Sequence, residues 1–167
     1  MSAPEDLKDL YTDELKDLWS ANDQMKRLLK KVASKASDDK LKDMLAKSQT
    51  GIEKHTDVLK ELIAAQDEKV SKEHCKGMEG LVAEATKHLV DEAPEKGPVM
   101  DALMIAQYQR MSHYGIAGFG TAAAYAKALG LKDDIKKLDV ATKEIYNGDE
   151  YMTKLAETTV NIDAVDA

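Results

Sequence analysis

The sequence predicts an all-α fold, an antiparallel four-helix bundle with one additional short helix in the middle connection. Three observations carry that expectation. Apolar residues recur at helical spacing through long segments, and the links between those segments are short. Three prolines and eight aromatics in 167 residues fit a β sandwich poorly.

The first helix is expected from about Pro4 to Lys35. Ser2 and Glu5 have capping-box spacing, and Pro4 suits a first turn. Its stripe is Leu7, Tyr11, Leu15, Leu18, Asn22, Met25, Leu29 and Val32, a run of three- and four-residue steps. Asn22 is the polar exception, in the middle. A second helix opens at Ser37-Asp38-Asp39 and runs to about Gln66. Its stripe, Leu41, Leu45, Ser48, Ile52, His55, Leu59 and Leu62, is again apolar at the ends and polar or small in the middle. The short link makes these two an antiparallel hairpin.

A third, shorter helix is expected from Ser71 to Glu92, with Cys75, Met78, Leu81, Val82, Ala85 and Leu89 inward. The stretch Ala93 to Gly97 ends it, and Pro98 opens the fourth, which lasts to Gly130. The fourth helix is rich in small residues. Gly115, Gly118 and Ala122 form a face that another helix can approach closely, within the bundle or across a dimer, or that could take a small molecule. The fifth runs from Lys132 to Thr158, and Asn147-Gly148 should weaken or bend it. Residues 1–158 form one domain, and 159–167 read as a flexible C-terminal tail. Two long helices, a short one and two more long ones make the ferritin-like arrangement.

The net charge of −7 lacks the basic footprint that nucleic acid or an anionic membrane surface requires. No apolar run is long enough to span a bilayer, and the acidic start carries no signal peptide. The single Cys75 excludes an internal disulfide and a cysteine-rich metal knuckle. A cytoplasmic location is the expectation.

Carboxylate-bridged metal pairs in such bundles need several inward acids and a Glu-x-x-His on two helices. None of His55, His74, His88 and His113 has Glu three residues before it. At inward positions the sequence offers Asn22, Ser48, His55, Ser112, Gly115 and Ile145, of which only His55 is a ready ligand. His55 reads as a core histidine bonded to Asn22 or Ser48. Cys75 reads as a buried thiol. Gly115 to Gly120 is glycine-rich but follows no strand, so it does not cradle a phosphate.

The stretch Cys75-Lys76-Gly77-Met78-Glu79-Gly80-Leu81-Val82 resembles the hallmark of the YciF-type ferritin-like family. Trp19 to Met25, Asp101-Ala102, Gln109 to Tyr114 and Tyr125 to Gly130 support the resemblance. It implies a bacterial, stress-associated helical bundle, usually dimeric, whose members commonly carry an inward di-metal site. Carried over, the family's first-helix Glu falls on Asn22. Its second-helix His and Glu fall near Ser48 and Gly51, and a Gln one turn later falls on His55. The fourth helix's Glu-His-Tyr-Glu becomes Ser112-His113-Tyr114-Gly115. In the last helix Glu144 survives, while its inward neighbour becomes Ile145. These seven replacements mark a degenerate di-metal site.

The resulting expectation is a metal-free, non-catalytic bundle with no cofactor. It would act as a homodimer by binding an unknown protein or small molecule, or by structure. The alternative is a di-metal oxidase, ferroxidase or peroxide-consuming enzyme using iron or manganese. It would need a rearranged site from Glu53, His55, His113, Glu144 and Asp149, which the sequence places on different faces.

Overall fold

The computed structural model describes residues 3–70, 74–165 and 167, and its described secondary structure is helical. Helix α1 spans Leu7–Val32 and α2 spans Asp39–Ala64, joined by a 3-10 turn at Ala33–Lys35. The short α3 is Lys76–Thr86, extended by a wider π-helical turn at Lys87–Asp91. Helix α4 is Pro98–Ala128 and α5 is Lys132–Leu155, followed by a π turn at Ala156–Val160 and the single-turn α6, Asn161–Asp163.

Local chemistry sets the helix starts. Asp6 caps α1 by accepting the Asp9 N–H at 2.9 Å, so Pro4 lies ahead of the helix rather than in it. Of the expected Ser2–Glu5 box, Ser2 lies outside the described residues, and Glu5 N–H instead donates to Asp9 Oδ2. Asp38 caps α2 through the Leu41 N–H at 2.8 Å. Cys75 caps α3, with Sγ 3.3 Å from the Met78 nitrogen. The third helix therefore starts later than expected, and the expected start, Ser71, lies outside the described residues. Pro98 occupies the first turn of α4.

Two apolar clusters make the core. One gathers Leu28, Leu41, Leu45, Met104 and Met152 with the inner face of α3. The other gathers Tyr11, Leu15, Leu59, Phe119 and Leu138. Helix α1 passes from the second cluster to the first, α2 runs back, α4 runs as α2 does, and α5 as α1 does. Contacts link α1 with α2, α2 with α5, α5 with α4, and α4 with α1. The four long helices thus close a ring of antiparallel neighbours, and α3 packs on α1 and α4 within the long connection between α2 and α4.

Asp101 of α4 is 1% exposed and anchors the α1–α2 turn. It accepts the Ser37 N–H at 2.8 Å, the Asp38 N–H at 2.8 Å and the Ser37 hydroxyl at 2.5 Å.

Two expectations are corrected. Asn147-Gly148 does not interrupt α5, which runs unbroken through both residues, and Gly148 is a buried close-approach position. A Cβ there would sit 3.0 Å from Met44 Cε and 3.2 Å from Tyr108 Oη. The segment 159–163 is not a free tail, since helix continues to Asp163 and Val160 is buried in the core.

Candidate functional site

The mid-stripe polar and small residues meet at the seam between the two apolar clusters. All seven positions, Asn22 of α1, Ser48, Gly51 and His55 of α2, Ser112 and Gly115 of α4, and Ile145 of α5, line one cavity of about 420 Å³. The apolar ends of each stripe build the clusters, and their interruptions stack at one level, so no large side chain fills the seam. Methionines 25, 44, 78 and 111 supply much of the remaining wall. Exposed Lys47, Glu144, Asn147 and Tyr151 rim it, which puts its mouth between α2 and α5.

Each polar wall group has its own environment. Ser48 Oγ and Tyr108 Oη lie 2.9 Å apart, and burial pushes the phenol pKa up. Asn22 Nδ2 donates to Thr56 Oγ1 at 3.4 Å. His55 Nε2 lies 2.7 Å from Glu144 Oε2, and its ring meets Phe119 edge-on at 5.7 Å. The expected bonds from His55 to Asn22 or Ser48 are not made. Burial lowers the His55 pKa, outweighing the opposite pull of Glu144. Lys54 donates to Glu144 Oε1 at 2.7 Å, and this bond and His55 hold the Glu144 carboxyl below its ordinary range. Ser112 Oγ is buried beside the Tyr108 hydroxyl, with no hydrogen bond of full geometry.

The five candidate ligands divide into three separate places. His55 and Glu144, expected on different faces, form one pair at the cavity mouth. His113 pairs with Asp149 at 3.0 Å, and Asp149 also accepts from Gln109 at 3.1 Å. His113 and Asp149 are therefore also brought together, contrary to expectation. Glu53 points elsewhere, paired with Lys26 at 2.5 Å and half exposed. Among the described residues no three His, Cys, Asp or Glu side chains gather closely enough to hold a metal.

A second polar group lies on the α1–α3–α4 side. Tyr114 donates to Asp17 at 2.6 Å, and the Cys75 thiol donates to the same carboxylate at 3.2 Å. Burial pushes the Cys75 thiol up, so it stays protonated and structural. Sequence reasoning missed the cavity roles of Tyr108 and Gly148. Tyr108 did carry a signal, standing one turn before Ser112 on the same face of α4.

The architecture defines the class of protein: an all-helical bundle with a ligand-sized cavity at its mid-height seam. The chain matches the family described as Domain of unknown function (DUF892) over residues 6–165, and it belongs to that family. It is 34% identical over 159 residues to Protein YciF of Escherichia coli (strain K12), covering 93% of each chain. It superimposes on the crystal structure of the E. coli stress protein YciF with a TM-score of 0.86 at 31% identity, covering 95% of this chain and 99% of that one. A second solved structure, YcfI from Rhodopseudomonas palustris, described as a candidate structural protein, gives 0.83 at 27% identity, covering 89% and 94%. Among the described residues no helix is long and apolar enough to cross a membrane.

Proposed function

We propose that this chain is a ferritin-like four-helix bundle that works without a resident metal. It is a non-catalytic, cytoplasmic homodimer that serves a stress response by binding or by structure. The carrying observation is the convergence of all seven degenerate positions on one cavity whose only carboxylate among the described residues, Glu144, is already held by Lys54 and His55. A di-metal centre needs several carboxylates around the ions, bridging or terminal. Asn22, Ser48, Ser112 and Gly115 offer none, so the donor set does not fit such a centre. Without a metal, an inward carboxylate would be an unpaired buried charge, and its replacement by neutral or small residues relieves that cost. The likeness to a stress protein supports the stress role, and the description of the R. palustris relative supports a structural one.

The test is a metal count. Protein expressed with iron and manganese supplied, and purified without chelator or tag, should carry far less than one metal per chain. Its melting temperature should be indifferent to chelator, because a ligand that is absent cannot stabilise the native state. One or two bound ions per chain, with iron or peroxide turnover lost in His55→Ala and Glu144→Ala, would establish the oxidase reading instead.

A further inference from the structure

We propose that the seam cavity binds a neutral, flat heteroaromatic molecule of about two fused rings with one N–H donor, which the Asn22 side chain receives. The proposal rests on the metal-free reading and adds the chemistry of the ligand. Size comes first. A cavity of about 150 Å³ accepts benzene, so this one, at about 420 Å³, accommodates a bicyclic body. The methionines around it give flexible, polarizable surface that adapts to a flat ring system.

Asn22 supplies the selection. Thr56 Oγ1 lies 2.6 Å from the Ile52 carbonyl and gives that oxygen its only proton. Toward Asn22 it can therefore only accept, so the amide must present Nδ2 to it, as it does at 3.4 Å. That fixes the orientation of the amide and turns Oδ1 away from Thr56. Among the described residues Oδ1 accepts no hydrogen bond, and unlike the sealed Ser112 hydroxyl it keeps accessible surface. The whole side chain is only 8% exposed and stands on the cavity wall. An amide oxygen that is nearly buried and undonated favours a ligand that brings a donor.

The rest of the wall narrows the ligand further. Ser48 and Tyr108 face each other within hydrogen-bond distance, and the Ser112 hydroxyl is covered beside Tyr108. A donor-only ring brings no acceptor that these groups would have to serve. Glu144 is occupied by Lys54 and His55, and Lys47 stands exposed at the mouth. An ion pushed inside would therefore leave water without a counter-charge beside it.

The experiment titrates the full chain by calorimetry with indole, with benzofuran, its isostere lacking the N–H, and with indole-5-carboxylate. One saturable indole site per chain is expected. Benzofuran should bind about five- to tenfold more weakly, the loss of one buried hydrogen bond, and the carboxylate at least tenfold more weakly. Asn22→Leu removes the acceptor and keeps an apolar wall, so indole and benzofuran should then bind within about twofold of each other. A Cβ on Gly51 meets no atom within 4 Å, so Gly51→Leu should fill the space and abolish binding of both. Circular dichroism and melting verify the fold of each variant. The proposal is overturned if indole does not saturate, if benzofuran or the carboxylate matches it, if Asn22→Leu keeps the preference for indole, or if folded Gly51→Leu binds as before. Metal is counted on the same samples. Metal-free protein that ignores indole overturns this proposal alone, whereas metal-loaded protein overturns the reading beneath it.

Discussion

Gly118 shows how the packing of α1 on α4 can be tested quantitatively. A Cβ at this position would lie 2.5 Å from Leu18 Cδ2, 3.2 Å from Leu18 Cγ and 3.0 Å from Glu14 Oε1. Leu18 is fully buried, so its methyl has nowhere to retreat. Two effects of Gly118→Ala oppose each other. Alanine gains about 1 kcal/mol of helix propensity over glycine. Overpacking a well-filled core costs about 1–3 kcal/mol. The clash is with a fully buried branched side chain, so the upper part of that range applies and a net loss of about 1–2 kcal/mol is expected. For a chain of this size that lowers the melting temperature by roughly 2–8 °C. Gly120→Ala is the matched control, because its Cβ meets nothing within 4 Å. It should stabilise by about 0.5–1 kcal/mol. Calorimetric melting of both variants settles the matter, and a Gly118→Ala protein that melts as high as Gly120→Ala would refute the close-approach argument.

Asp101→Ala should lower stability by about 2–4 kcal/mol, since it strips the partners from two backbone N–H groups and a hydroxyl at the α1–α2 turn. Urea unfolding within about 0.5 kcal/mol of wild type would show that the turn holds itself. Glu14 predicts a pH effect. Burial, aided by the neighbouring Asp17, pushes its pKa from 4.5 up to about 7. The folded state then holds a proton that the unfolded state has shed, so stability falls as pH rises from about 4.5 through 7. Glu14→Gln should match wild type near pH 4.5 and exceed it at pH 8, and parallel stability curves would sink that assignment. His55 acts with the opposite sign: burial lowers its pKa, so its contribution declines as pH drops below its ordinary 6.5.

Helix stripes were legible because burial repeats with the turn of the helix. Every named position of the α2 stripe, from Leu41 to Leu62, is buried, and in α1 only Leu7 at the outer end is partly open. Their mid-stripe interruptions, Asn22, Ser48 and His55, also foretold where the core would be incomplete. Partners were not legible. His55 chooses Glu144, 89 residues away, over the nearer polar groups on the seam. Asn147-Gly148 looks like a break in isolation, and the approach of Tyr108 and Met44 explains a glycine inside an unbroken helix. Cys75 has the hydrophobicity of an interior helical residue, which hid its position as a cap. Val160 stands near the chain end, where sequence gives no sign of the surface that covers it.

The Asp101 anchor has a consequence for synthesis. Its contacts reach back across 64 residues to Ser37. At ribosomal rates of about 5–20 residues per second, the carboxylate follows the turn it holds by roughly 3–13 s. For that interval the first helical hairpin exists with its elbow unfastened and one apolar face of each arm uncovered. The nascent chain is then most exposed to chaperones and to aggregation, and arrival of the fourth helix closes the window.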